Sequence, residues 1–172
     1  MSVQDTVIGA ILWILPAYVA NAAPVPTVYF LRKLGGKTHP LDLGLNFIDG
    51  KRVLGDNKTL EGFIGGLSAG SLVGAGLQLW GLHSFPLALI LSFGALAGDL
   101  AGAFVKRRLG LKPGDPAPLL DQLDFVLGAT ILYQLFAPVR LEYFLIVVIM
   151  TPLLHLATNT LAYLLGLKSN PW

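Results

Sequence analysis

The sequence predicts an all-α membrane protein with several transmembrane helices, and its composition and its long uncharged stretches both support this fold class. Of the 172 residues, 54% are hydrophobic and only 13% are charged, with a mean hydropathy of +0.68. Soluble domains carry about 25% charged residues, so this chain has too little charge to cover a surface that faces water. The composition excludes a soluble enzyme and a disordered chain, and no nucleic-acid partner is expected. We expect a single integral membrane domain over residues 1–172.

Uncharged stretches of sequence define the predicted transmembrane helices, because a helix needs about 20 apolar residues to cross a bilayer. The uncharged interval 62–98 is too long for one helix, and Pro86 divides it, since proline cannot continue a helix from its amino side. The interval 125–139 is too short unless its helix starts earlier, which draws Asp121 and Asp124 into the first turns. Five spans are predicted: 6–29, 61–80, 86–105, 119–137 and 143–165.

The first predicted span contains residues that disturb a helix near its second end. Asn21, Pro24 and Pro26 lie within six residues of each other, and each proline removes a backbone donor. A membrane tolerates the freed backbone groups only where protein or a wet cavity satisfies them. Span one is therefore predicted to be kinked or locally opened.

The positions of the basic residues predict the orientation, because cytosolic loops are enriched in lysine and arginine. Eleven of the twelve basic residues fall on one side of the predicted spans, and only Arg140 falls on the other. This places the N-terminus outside and the C-terminus in the cytosol. The predicted cytosolic loops are 32–60 and 106–118, and the first is so rich in glycine and turn residues that it is not expected to be fully helical.

Glycines recur at intervals of four in spans two and three. They fall at positions 62, 66, 70 and 74 of one span and at 94, 98 and 102 of the next. Glycines four apart line one helix face and let the backbones of two membrane helices approach closely. Helix packing is the favoured interpretation, with a phosphate-cradling loop as the alternative; Gly62, next to the cytosolic end, fits either.

Three carboxylates fall inside the predicted spans, where charge is costly and usually marks a functional site. Asp99 lies in span three, and Asp121 and Asp124 lie in the first turns of span four. These spans are antiparallel neighbours, so the three side chains are expected at similar depth near the cytosolic face. Converging carboxylates favour a hard cation such as Mg²⁺; salt bridges to Lys106, Arg107 or Arg108 are the alternative. The chain has no cysteine, which excludes a thiolate site.

Basic and polar residues lie beside these carboxylates at the same membrane face. The run Lys106-Arg107-Arg108 serves as a topology anchor in the simplest interpretation, but a phosphate ligand at this depth would also need such donors. Lys58, the Thr59 hydroxyl and the first amides of span two form a second possible anion site.

The order and spacing of these motifs resemble the phosphatidate cytidylyltransferase superfamily, membrane enzymes that make CDP-activated lipids. The matching segments are Asn57-Lys58-Thr59-x-Glu61-Gly62 with Gly65-Gly66, Gly98-Asp99 followed by Lys106-Arg107, then Lys112, and Asp121-Gln122-Leu123-Asp124. The diacylglycerol enzymes typically have Ser at the position of Ala103, Lys-Asp at that of Lys112-Pro113, and His-Gly-Gly before the last motif. These departures, with the short chain and the sequence of span one, resemble the archaeal ether-lipid branch over nearly the whole chain.

The resemblance implies an activity and a set of site residues. The implied reaction is cytidylyl transfer from CTP to an archaeal ether-lipid phosphate, which gives CDP-archaeol and pyrophosphate. By resemblance, Asp99, Asp121 and Asp124 would hold Mg²⁺, and Lys58, Lys106 and Arg107 would stabilise the triphosphate and the leaving pyrophosphate. The implied nucleotide-binding residues are Asn57, Lys58, Thr59, Glu61, Gly62, Lys106, Arg107 and Lys112. The implied site faces the cytoplasm from a multi-pass protein of the cell membrane.

Two other functions, and the expected partners, are considered beside this interpretation. A diacylglycerol-type cytidylyltransferase would use the same site on a different lipid tail. An ion-coupled transporter would use the three carboxylates as a cation relay, but they cluster at one face, and the outer halves of the spans carry no charge. CTP, the lipid phosphate and membrane lipids are the expected partners, and a homodimer is possible through the glycine faces.

Overall fold

The computed structural model describes residues 2–168, and within them all regular structure is helical. The helices are α1 Val3–Ala22, α2 Pro24–Lys33, α3 Leu60–Leu79, α4 Phe85–Arg108, α5 Leu120–Gln134 and α6 Leu141–Leu164. The predicted all-α class is confirmed. The predicted single domain also includes residues 1 and 169–172, which lie outside the described residues.

Four helical stretches in the described part of the chain are long and apolar enough to cross a membrane. They are Val3–Lys33, Leu60–Leu79, Phe85–Arg108 and Leu141–Leu164. The predicted span 119–137 corresponds to α5, which has only 15 residues. At about 1.5 Å per residue, α5 is shorter than a hydrocarbon core of about 30 Å. A fifth span is therefore not confirmed.

The predicted break in span one falls at Ala23, between α1 and α2. Pro24 is the first residue of α2, and it cannot donate a hydrogen bond back to the preceding turn. The helical path resumes through Thr27, whose backbone N–H donates to the Ala23 carbonyl oxygen at 3.1 Å. The packing partners of span one differ on the two sides of this break. α1 packs against α3, α4 and α6, whereas α2 packs mainly against α3.

The glycine faces pack the bundle tightly, as the sequence predicted. Gly66, Gly70 and Gly74 of α3 are buried, and a side chain at Gly70 would lie 2.7 Å from the Pro16 carbonyl oxygen of α1. On the other side of α4, a side chain at Gly94 would lie 2.8 Å from the carbonyl oxygen of Gly128 in α5. Backbone meets backbone at both interfaces, and this brings α4 into the centre of the protein.

The loop between α2 and α3 is folded around a buried carboxylate. The Asp42 side chain is 1% exposed and accepts hydrogen bonds from the Arg52 guanidinium and from the backbone N–H groups of Gly44, Leu54 and Gly55. Burial opposes ionisation of Asp42, but these donors outweigh it and hold its pKa well below the ordinary value. The predicted turn-rich loop is thus an ordered unit.

The same loop is fixed to the end of α4 by Arg108. Its guanidinium lies over the rings of Phe47 and Phe104, at 4.9 and 4.7 Å from the ring centres, and forms an ion pair with Asp49 at 3.2 Å. In return, the Lys51 amine donates to the Arg108 carbonyl oxygen at 2.9 Å. Arg108 therefore anchors the loop, and the adjacent Arg107 points elsewhere.

Candidate active site

A cavity of about 850 Å³ opens at the end of the bundle where α2, α4 and α5 meet the loop. Nine of the eleven predicted site residues line it. They are Asn57, Lys58, Thr59, Gly62, Asp99, Lys106, Arg107, Asp121 and Asp124. The sequence pattern therefore identified half of the polar side chains that line this cavity, although these residues lie far apart in the chain.

Two of the three carboxylates are paired with lysines across the cavity. The Lys58 amine donates to both carboxylate oxygens of Asp99, at 2.7 and 2.6 Å, and the Lys106 amine donates to both oxygens of Asp121, at 2.8 and 2.9 Å. Burial opposes the charged form of Lys58, but the Asp99 carboxylate raises the pKa of Lys58 above its ordinary value. The Lys106–Asp121 pair agrees with the predicted salt-bridge alternative, and Lys58 is a partner that this alternative did not include.

Asp124 lies against the glycine face of α4. A side chain at Gly102 would overlap the Asp124 carboxylate, and one at Gly98 would overlap the Asp124 backbone. These two glycines therefore leave the space that Asp124 occupies beside Asp99. The glycine pattern of span three has a second consequence here, because it lets a carboxylate of α5 reach the wall formed by α4.

Asp121 enters the cavity from a sharp turn at the start of α5. Leu119 adopts a φ of 65°, which is uncommon for a residue other than glycine. The Asp121 carboxylate accepts a hydrogen bond from the backbone N–H of Ala117 at 2.8 Å, which caps the turn. This local closure directs Asp121 towards Lys106 rather than along the axis of α5.

The chemistry of the donors suits a hard cation, but the carboxylates are not assembled around one. Four aspartates line the cavity, the three predicted ones and Asp115, and Mg²⁺ prefers oxygen ligands of this kind. Across residues 2–168, however, no group of three or more histidine, cysteine, aspartate or glutamate side chains is spaced to hold a metal ion. The lysine amines supply the positive charge between the carboxylates.

Arg107 is the most unusual group in the cavity. The residue is 6% exposed, and within the described part of the chain its Nε and Nη1 atoms have no hydrogen-bond partner. Gly55, with a φ of 100°, allows the loop to pass close by, and a side chain there would lie 3.9 Å from Nη1. A buried guanidinium with unsatisfied N–H groups is costly, and an anionic ligand would offset that cost.

The segment before α3 is held in place by its own backbone. The Thr59 hydroxyl accepts from the Gly62 N–H at 3.1 Å, and the Leu60 N–H donates to the His39 carbonyl oxygen at 2.9 Å. These amides already have partners, so the predicted anion site at the start of this helix consists of Lys58 and the Thr59 hydroxyl. The start of α3 therefore positions these two groups rather than supplying free backbone N–H donors.

Two predicted nucleotide-binding residues lie outside the cavity lining. The Glu61 carboxylate accepts from the His39 backbone N–H at 2.9 Å and contacts the His39 ring at 2.6 Å. Lys112 is exposed, and its backbone N–H donates to the Asp115 carboxylate at 2.6 Å. Glu61 therefore supports the turn next to the site, and Lys112 belongs to the loop at its rim.

Sequence analysis missed several polar residues that line the cavity. They are Asn21, Tyr29, Arg32, Lys33, Asp115, His155, Asn159 and Lys168. His155 and Asn159 are single polar residues in an otherwise apolar span, a signal that does mark functional positions in membrane helices. Nothing in the sequence showed that the end of α6 approaches the aspartates, because that follows from the packing of α6 on α1 and α5.

The fold and the site together define a class of protein: a multi-pass membrane protein with a charged cavity at one end of its helices. The sequence of the CarS-like family, described as CDP-archaeol synthase, matches residues 3–172. The chain belongs to this family.

Similar proteins cover almost the whole chain. CDP-archaeol synthase of Thermofilum pendens is 55% identical over 164 residues, covering 95% of this chain and 80% of that protein. CDP-archaeol synthase of Aeropyrum pernix is 47% identical, covering 98% and 94%. A solved structure described as an intramembrane enzyme for archaeal membrane lipids biosynthesis matches with a TM-score of 0.76 and 43% identity, over 87% of this chain and 92% of that one. The predicted resemblance to the lipid cytidylyltransferases is confirmed, and the transporter alternative finds no support.

Proposed function

We propose that this chain transfers a cytidylyl group from CTP to an archaeal ether-lipid phosphate and releases CDP-archaeol and pyrophosphate. The relatives are named CDP-archaeol synthase, and one observation of this chain carries the proposal. The cavity holds the buried guanidinium of Arg107, whose Nε and Nη1 atoms have no hydrogen-bond partner within residues 2–168, together with four lysines and four aspartates. A triphosphate would supply acceptors for these two N–H groups.

The reaction needs little covalent chemistry from the protein. An oxygen of the lipid phosphate attacks the α-phosphorus of CTP, the new P–O–P bond forms, and the bond to the β-phosphate breaks to release pyrophosphate. The attacking phosphate is already anionic, so no general base is required. Catalysis then depends on positioning and on stabilising charge in an in-line transfer.

The residues divide into three groups in this proposal. Lys58, Lys106 and Arg107 stabilise the triphosphate and the leaving pyrophosphate. Asn57, Thr59 and Gly62 border the nucleotide, with Glu61 holding the turn that carries them. Lys112 lies at the rim, and its predicted contact with the nucleotide stays a prediction.

Mg²⁺ belongs to the same proposal. Asp99, Asp121 and Asp124 would hold it, because they line this cavity with the carboxylate oxygens that Mg²⁺ prefers. When bound, the ion would neutralise phosphate charge during the transfer. The two lysines would then give up their contacts with the aspartates and donate to phosphate oxygens instead, since an ammonium group pairs equally well with either anion.

The predicted topology also remains part of the proposal. We propose that the cavity lies at the cytosolic face, with the N-terminus outside, the C-terminus inside and α5 as a short fifth span; the basic side chains around the cavity support this orientation. CTP would then enter from the cytosol. A homodimer stays a prediction, although Gly66, Gly70 and Gly74 are already buried within one chain.

The decisive test is turnover by the purified protein in detergent. With CTP, Mg²⁺ and 2,3-bis-O-(geranylgeranyl)-sn-glycerol 1-phosphate, we expect pyrophosphate release and a CDP-lipid product. Phosphatidate in place of the ether lipid should react more slowly if the chain has the specificity named for its relatives. A protein that consumes no CTP under these conditions would contradict the proposed function. Removal of Mg²⁺ with a chelator should stop the reaction.

A further inference from the structure

Helices α2 and α6 diverge on one side of the cavity. Before the break at Ala23, α1 is joined to α6 by a hydrogen bond of 2.8 Å between the Tyr18 and Thr151 hydroxyls. After the break, α2 turns to α3, where Val28 would contact a side chain at Gly62 at 3.3 Å. No Cα atom of α2 lies within 8 Å of a Cα atom of α6. Packed helices have axes 8–10 Å apart, so these two do not pack on each other.

The cavity reaches this divergence from inside. One face of α2 lines it through Val25, Val28 and Arg32, and α6 lines it through His155 and Asn159 on the other side. The lining extends along α1 and α2 from Asn21 to Lys33, which is about 18 Å at about 1.5 Å per residue. That is roughly half of a hydrocarbon core of about 30 Å. The cavity therefore extends to membrane depth beside the opening.

The lining of the opening combines apolar and basic side chains. Val25 and Val28 of α2 and Phe63 of α3 are apolar members of this lining. Arg32 stands at the cytosolic end of α2, and Lys168 stands just beyond the end of α6, where its amine donates to the Asn159 side chain at 3.0 Å. CTP is polar throughout and would gain nothing from contact with the apolar side chains of this opening. A lipid phosphate matches both kinds of side chain, because its chains are apolar and its phosphate is anionic.

We propose that the opening between α2 and the C-terminal half of α6 is the lateral entrance through which the lipid phosphate passes from the bilayer into the cavity, with Arg32 and Lys168 receiving its phosphate. This inference rests on the proposed function, since it assigns an entry path to one of the two substrates. The chains remain in the bilayer between the helices, and only the phosphate crosses to the aspartates. The helix break at Ala23 makes this opening possible, because without the break span one would continue alongside α6.

The test uses single-cysteine variants, which are specific because the chain has no cysteine of its own. Val25→Cys is labelled with a bulky maleimide and compared with its unlabelled form. Two acceptors are used: the long-chain ether-lipid phosphate and a water-soluble analogue with two short ether chains. We expect the label to reduce kcat/KM for the long-chain lipid at least tenfold more than for the short-chain analogue, which can enter from the cytosol. The matched control is labelled Leu72→Cys, on an exposed part of α3 outside the cavity, which should keep turnover with both acceptors.

The outcomes separate the entrance from the proposed function. Equal effects of the label on both acceptors, or no effect on either, would overturn the entrance. No turnover by the unaltered chain with either acceptor would overturn the proposed function instead. A second measurement uses Lys168→Gln, which should raise KM for the long-chain lipid several-fold and leave KM for CTP unchanged. Lys37→Gln, on an exposed lysine outside the cavity, is its control. A rise in KM for CTP alone would contradict the role given to Lys168.

Discussion

Helices α4 and α6 are both 24 residues long and equally apolar in their best stretch, yet they are packed very differently. Half of that stretch is buried in α4, against 11% in α6. α4 carries Gly94, Gly98 and Gly102 and lies between α1, α3 and α5, whereas α6 has no glycine and contacts only α1 and α5. Helix length and hydropathy therefore indicate that a helix can cross a membrane. Small residues such as these glycines determine whether the helix packs against protein or faces lipid.

If the proposed function is correct, this difference suits the two helices to different tasks within one cavity. α4 supplies Asp99, Lys106 and Arg107 from a backbone that is fixed on three sides, which suits groups that must be held in place for charge stabilisation. α6 supplies His155 and Asn159 from a helix that is free of neighbours along much of its length. A wall of that kind can accommodate a lipid without disturbing the groups on α4.

The largest effect is expected for Asp99→Asn, at the centre of α4. The substitution removes a proposed metal ligand and the partner of Lys58, so turnover should fall by about 1,000-fold, the upper range for loss of one stabilising group. Pyrophosphate release measures this, and the melting temperature should show that the variant folds. The control is Asp56→Asn, whose side chain is 72% exposed and pairs with Arg52 outside the cavity. Near-normal turnover of Asp99→Asn would remove the metal assignment.

The next effect is expected for Arg107→Gln on the same helix. Hydrogen bonds to a charged group contribute about 1.5–3 kcal/mol, which corresponds to roughly a tenfold to hundredfold rise in KM for CTP. The variant should also gain stability without ligand, because a buried guanidinium with unsatisfied N–H groups is removed. Titration of CTP and a thermal melt test the two effects. Arg140→Gln, at the opposite end of the protein, should change neither, and an unchanged KM in Arg107→Gln would contradict anion binding at this position.

The chemistry of the site could be predicted from the sequence because charges in apolar spans are few and easily found. Asp99, Asp121 and Asp124 stand out for that reason, and the antiparallel order of two spans is enough to bring them together. The glycine intervals likewise predicted which faces pack. The start of α5 at Leu120 lies within one residue of the predicted start at 119, but its end at Gln134 follows no strong sequence signal and comes before the predicted end at 137.

Neither the pairing of the charged residues nor the folding of the loop between α2 and α3 could be predicted from the sequence. Lys58 and Asp99 are 41 positions apart, and only the folded loop brings the lysine back over α4. That folding depends on Asp42, which resembles any surface aspartate in the sequence but is nearly inaccessible in the structure. The unequal roles of Arg107 and Arg108 also required the structure, because neighbouring residues on a helix point about 100° apart and the docked loop selects one of them.

A smaller effect is expected at the contact between α4 and α5. A side chain at Gly128 would lie 2.5 Å from the Gly98 Cα atom, so Gly128→Ala should force the helices apart and cost about 1–3 kcal/mol, as overpacking usually does. Gly76→Ala is the matched control, since its side chain would meet nothing within 4 Å and alanine favours the helix by about 1 kcal/mol. Thermal unfolding in detergent should separate the two variants. Equal stability would mean that α4 and α5 pack no more closely than the rest of the bundle.

The smallest effect is expected where α6 meets α1. Thr151→Val and Tyr18→Phe each remove one side of the 2.8 Å hydrogen bond between their hydroxyls, and such bonds between membrane helices average about 0.6 kcal/mol. A double-mutant cycle on the melting temperature should give a coupling of this size, with KM for CTP unchanged because α4 is untouched. A coupling above about 2 kcal/mol would show that α6 is held as firmly as α4. In that case α6 could not act as the adaptable wall of the cavity, and a lateral entrance would need movement of α2 instead.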